Sequence, residues 1–146
     1  TEMPIPPHRG EPLDPMMESE NRRAVFGAWR RHFRNVRRSM SQGFFQSWDL
    51  HPNQLPARYA AVFHFFLESF DENARRLRRF AEMSTRATLT GNAFDDAASV
   101  RGLLNFFSRG ISCGAFSEAE AEAATGVSAE AIRSLDVSAL GGASGD

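Results

Sequence analysis

The sequence predicts a mainly α-helical chain interrupted by a single strand. Three observations predict it. Apolar residues recur at spacings of three and four over several long stretches. Helix-start signals stand at Asp14-Pro15, Ser117 and Ser128. One short run, residues 44–50, is apolar on both faces through Phe44, Phe45, Trp48 and Leu50, as in a strand inside a covered sheet.

Residues 1–13 carry Pro4, Pro6, Pro7 and Pro12, which fix φ and remove donors, so this stretch is extended or looped. Asp14 as N-cap, Pro15 at the first helical position and Glu18 in the first turn open a helix that stops at Gly43. Its buried stripe is Val25, Trp29, Phe33, Val36 and Met40, with Arg23, Arg30, Arg31, Arg34, Arg37 and Arg38 on the opposite arc. After the strand, a helix over 55–69 carries the stripe Tyr59, Val62, Phe63, Phe66 and Phe70. Phe65 adds apolar surface on its other side. Asp71 caps a third helix to about Ser84, with Leu77, Phe80 and Met83 inward. Asp95 or Asp96 caps a fourth, with the stripe Val100, Leu103, Leu104, Phe107 and Ile111. A capping box at Ser117 and Glu120 opens a fifth helix, and Ser128 opens a short sixth. The expected divisions are residues 1–70, a helical extension over 71–138, and a disordered tail over 139–146.

A lone strand cannot satisfy its own backbone donors and acceptors. Residues 44–50 therefore read as part of something larger, completed by another chain or by residues ahead of Thr1.

Composition narrows the function. The 146 residues fit one domain, and 42% hydrophobic content with 13 Phe implies a packed core. A net charge of −1 gives no global field for nucleic acid or an anionic membrane. All 17 basic residues are Arg, which rules out a Schiff-base lysine from this chain. The one cysteine, Cys113, reads as a buried thiol and requires no oxidising compartment. No apolar run reaches transmembrane length and no signal peptide is visible, so a cytoplasmic protein is expected.

The sharpest candidate site is Asp49-Leu50-His51-Pro52-Asn53-Gln54, where the strand runs into the second helix. Strand alternation sends Asp49 and His51 to one side, and the carboxylate can orient the imidazole. Two readings stay open: a turn-forming pair that caps the next helix, or substrate-proximal residues of a larger enzyme. Two ligands do not close a metal shell. Arg9, in Pro6-Pro7-His8-Arg9-Gly10, is a second candidate, able to hold a carboxylate or phosphate in a bidentate pair. His32 and His64 read as ordinary surface or boundary residues. Residues 123–132 resemble the turn of a helix-turn-helix, but Glu118, Glu120, Glu122 and Glu130 oppose phosphate contact, so a structural hairpin is expected.

Residues 43–59, with the core His51-Pro52-Asn53-Gln54, resemble the carboxyl-terminal part of aldolase-like proteins in the HpcH/HpaI aldolase and citrate lyase β-subunit superfamily. The core is similar to the Ile-His-Pro-x-Gln near the last barrel strand of many members. The resemblance extends over roughly residues 1–135 and includes residues 102–107 and Cys113-Gly114. It implies the last βα units of an incomplete (β/α)8 barrel, of the phosphoenolpyruvate/pyruvate type, followed by a helical C-terminal extension. It implies a carbon–carbon lyase acting on oxo acids or acyl-CoA thioesters, and possible homo-oligomers. It also implies Mg²⁺ held by a Glu and an Asp, and an oxo-acid Arg, all ahead of Thr1. Asp49, His51, Gln54 and Arg9 would then lie near the active-site mouth, and this chain alone would be inactive. The expected partner is a small-molecule oxo acid or acyl-CoA met through the complete barrel, with no nucleic acid and no membrane. The alternative, from another class, is a stand-alone helical protein-interaction module whose apolar stripes bury against a partner.

Overall fold

A computed structural model describes residues 12–45, 49–90, 97–137 and 140, with the side chains of 85–90 left aside. Among the described residues six α-helices follow one another: α1 Pro15–Ser41, α2 Leu55–Glu68, α3 Phe70–Thr90, α4 Ala97–Ser112, α5 Glu118–Thr125 and α6 Ala129–Ser134. A 3-10 turn, Pro52–Gln54, leads directly into α2. The chain divides by its contacts into two units, 1–65 and 66–146, so α2 begins in the first and ends in the second.

The mainly α expectation holds, and no strand occurs among the described residues. Phe44, Phe45, Asp49 and Leu50 lie in irregular backbone, while 46–48 fall outside the described residues. Phe44 and Leu50 are 68% and 86% exposed, so the anticipated two-faced burial is absent at both ends of the segment. The backbone here closes local bonds instead. Phe44 N–H donates to Ser39 O and Gly43 N–H to Met40 O, both at 2.9 Å. With Gly43 at φ +84°, that pair forms a Schellman motif, which reverses the chain at the end of α1.

In the first unit, Asp14 Oδ1 accepts from Met16 N–H at 2.8 Å and Met17 N–H at 2.9 Å, starting α1 where the sequence places it. Val36 and Met40 are buried, whereas Val25, Trp29 and Phe33 are half-buried. On α2 the buried residues are Ala57, Arg58, Ala61 and Phe66. Tyr59, expected in the stripe, is 54% exposed, because the small side chains of Ala57 and Ala61 form the close-packed face.

The second unit is built round phenylalanines. Phe66 and Phe70 meet Phe106, Phe107 and Phe116 with ring centroids 4.8–6.3 Å apart, mostly tilted or edge-on. Aromatic quadrupoles prefer such geometries, each worth about 0.5–1.5 kcal/mol beyond area burial. Val100, Leu103, Leu104 and Phe107 supply the buried face of α4 as expected, while Ile111 is half-buried. Helix α3 packs on α4 and α5, and α6 packs on α4 and α5. Asp71 sits in the first turn of α3 rather than capping it, and that helix continues beyond Ser84 to Thr90. Met83 is 55% exposed and not inward. Asp95 and Asp96 fall outside the described residues. Of the expected tail over 139–146, Leu140 is described, and it is buried.

Helices α5 and α6 form a tight hairpin. Ser117 and Glu120 make the anticipated capping box, with Ser117 N–H to Glu120 Oε2 at 2.7 Å and Glu120 N–H to Ser117 Oγ at 3.2 Å. Buried Thr125 donates to Ala121 O at 2.7 Å and accepts from Val127 N–H at 3.1 Å, so its hydroxyl is satisfied. Gly126, at φ +72°, ends α5, and Ser128 Oγ caps α6. No helix among the described residues is long and apolar enough to cross a membrane.

Gly110 is the most closely approached of the described glycines: a Cβ there would overlap the Phe116 ring. Gly102, on the same helix, faces open space. Gly110→Ala is therefore expected to destabilise by about 1–3 kcal/mol through overpacking. Gly102→Ala is expected to stabilise by about 0.5–1 kcal/mol through lower unfolded-chain entropy. Urea melts followed by circular dichroism check both, and equal effects would refute the packing account.

Candidate functional site

The site lies in the first unit, where α1, residues 49–51 and the start of α2 converge on one carboxylate. Arg58 Nε donates to Asp49 Oδ2, and His32 Nε2 stands 3.0 Å from Asp49 Oδ1. An ionised carboxylate only accepts, so His32 carries its proton on Nε2. The Asp49 and Arg58 side chains are 7% and 10% exposed, and His32 is 19% exposed. The Arg58 hydrogen bond is the main reason the Asp49 carboxyl is held below its ordinary range, with the charges of Arg58 and His32 adding to it against the cost of burial.

Helical phase explains the convergence. His32 lies three residues after Trp29 and four before Val36, so it shares the inward face of α1. Arg58 is the one arginine of α2. A guanidinium buried there needs a carboxylate, because an unpaired buried charge is costly.

Downstream of Asp49 the chain forms a closed turn. His51, extended at φ −150°, accepts through Nδ1 from Asn53 N–H at 3.1 Å. Gln54 Oε1 accepts from Leu50 N–H at 2.9 Å and His51 N–H at 3.2 Å, completing a capping box. Trp29 Nε1 donates to Asn53 O at 2.7 Å and so fastens the turn to α1.

Of the four sequence candidates, three are adjacent in this segment and do different things. Asp49 is buried and bonded to Arg58 and His32 rather than orienting His51. Strand alternation no longer applies, because residues 49–51 are not extended in a sheet. His51 is exposed, with Nδ1 occupied by its own turn. Gln54 is half-buried and serves as a backbone cap. Arg9 falls outside the described residues.

Sequence reasoning missed His32 and Arg58. The signals were present: a lone cation in an apolar helix, and a histidine in phase with Trp29 and Val36. His64 makes an edge contact with the Phe33 ring, 5.7 Å between centroids. Cys113 is half-buried and donates to Gly110 O at 3.3 Å, and burial pushes its thiol up, away from nucleophilic use.

The described residues do not fit a Mg²⁺ site. No group of three His, Cys, Asp or Glu is gathered among them, and both Asp49 oxygens already hold donors.

Fold and site thus define a helical protein with a clamped carboxylate and an exposed histidine turn. Residues 1–140 match the family model DUF6986, a domain of unknown function, and the chain belongs to that family. No curated protein and no solved structure matches it.

The lowered Asp49 pKa carries a definite sign. A depressed carboxyl contributes stability above its unfolded value of 3.8 and loses it as pH falls through the folded value. Asp49→Asn is expected to cost about 2–3 kcal/mol at neutral pH by leaving Arg58 without its carboxylate. That difference from the parent chain should stay level down to about pH 4 and shrink below it. Urea titrations between pH 3 and 7 test this, and a difference that widens in acid would overturn it.

Proposed function

We propose that this chain forms the C-terminal part of a carbon–carbon lyase of the aldolase and citrate lyase β-subunit type, acting on an oxo acid or acyl-CoA thioester. The observation that carries the reading is the rigidity of the turn presenting His51. Gln54, Trp29 and the His51 ring itself each close a bond onto it, and Asp49 is anchored just before it. An exposed imidazole on a fixed backbone is suited to positioning or proton transfer near a substrate held elsewhere.

The apolar surface around the turn supports the same reading. Phe44, Phe45, Leu50 and Leu55 are all exposed, and further polypeptide would cover them in a barrel. In this reading the divalent cation and the oxo-acid arginine belong to residues other than those described, and the protein works in the cytoplasm. His51 is a substrate-proximal residue; Asp49, Arg58, His32 and Gln54 are positioning residues. The exposed apolar face also favours a second reading, a helical interaction module, in which the same surface binds a protein partner.

The test uses the protein encoded by the whole reading frame, assayed with Mg²⁺ for pyruvate release from 4-hydroxy-2-oxo acids and for acyl-CoA cleavage. Turnover is expected there and not from residues 1–146 alone. His51→Ala is expected to lower kcat/KM by about tenfold or more with an unchanged melting temperature. Absence of carbon–carbon cleavage by the whole protein, or full activity in His51→Ala, would sink the lyase reading.

A further inference from the structure

A cleft of about 640 Å³ opens between α1 and the start of α2. Phe26, Trp29 and Phe33, spaced three and four apart, form one aromatic wall, and Ala57 lies on the opposite side. Arg30 and Arg34 also line it, one helical turn apart and both exposed. Among the described residues neither arginine bonds to an acid. Arg58, on the facing helix, is already held by Asp49, so the arginines at the cleft left for a ligand are Arg30 and Arg34.

We infer that this cleft binds a small apolar carboxylate, its hydrocarbon part against the aromatic wall and its carboxylate between Arg30 and Arg34. The volume falls within the range of roughly 300–1,000 Å³ typical of small-molecule sites. Two arginines one helical turn apart on α1 suit a planar carboxylate, which guanidinium groups bind through paired N–H donors. Inorganic phosphate would satisfy the arginines and leave the aromatic wall in water. A neutral hydrocarbon would cover the wall and leave the arginines unused. A molecule carrying both parts meets the whole surface.

This inference stands apart from the lyase reading, since the cleft uses neither His51 nor Asp49. It touches the histidine turn at one point. Trp29 lines the cleft and donates its indole N–H to Asn53 O. A ligand against that ring therefore changes the surroundings of an indole bonded to the turn.

Within residues 1–146, Trp48→Phe leaves Trp29 as the sole indole and makes it the reporter. Octanoate is titrated against this protein, with octanol as the neutral probe of equal chain length. Saturable change in Trp29 emission is expected with octanoate, and binding of octanol about tenfold weaker, as loss of one charge-assisted contact set implies. Arg30→Gln with Arg34→Gln, both at exposed positions, is expected to bring octanoate down to the octanol level. Equal affinities for octanoate and octanol would overturn the proposal without any variant. It also fails if no saturation is reached, or if sedimentation shows a dimer whose dissociation alone accounts for the emission change, which would assign the cleft to a second copy.

Discussion

Burying Arg58 on the inner face of α2 sets a condition that the rest of the first unit meets. A guanidinium taken out of water must be given a carboxylate, and Asp49 is brought to it. The second oxygen of Asp49 then needs a donor, which His32 on α1 supplies. One ionic contact thus ties two helices and the segment between them. The backbone of residues 49–54 is held against that anchor, so the exposure of His51 follows from the burial of Arg58.

The second unit rests on a different physics. Among the described residues its core holds no buried charge and relies on ring shape, with Phe70 and Phe116 at 4.8 Å and Phe106 and Phe107 at 5.3 Å. A glycine at 110 lets Phe116 lie directly on the backbone of α4. Close packing of this kind tolerates little change of volume. The buried ion pair thus lies ahead of Phe66 and the five-ring aromatic cluster begins with it.

Much of the helical layout was legible in the sequence because its signals are local. Asp14, Ser117, Glu120 and Ser128 act on backbone groups within three residues of themselves, and each does what its type and position imply. The stripe of α4 was legible for the same reason. The run at 44–50 misled because aromatic content alone reads as a strand, whereas Gly43 and Ser39 give the backbone a local alternative. Tyr59 misled because periodicity ranks large residues as inward, and α2 packs through alanines. At the site, the His51 turn could be read, since Pro52 and Gln54 encode it locally. The partners of Asp49 could not be read with the same ease. They lie 17 residues before it and nine after it, and distance along the chain carries no pattern.

The indole bond from Trp29 to Asn53 has a consequence in time. Its partners are 24 residues apart, those of His32 and Asp49 are 17 apart, and those of Asp49 and Arg58 are nine apart. Closing the longest of these loops costs about 0.9 kcal/mol more chain entropy than closing the shortest. Chain entropy therefore favours an order: the nine-residue loop between Asp49 and Arg58 closes most readily, and the bond spanning 24 residues closes least readily. The turn's own bonds are local, so what chain entropy delays is its fastening to α1 and not the turn itself.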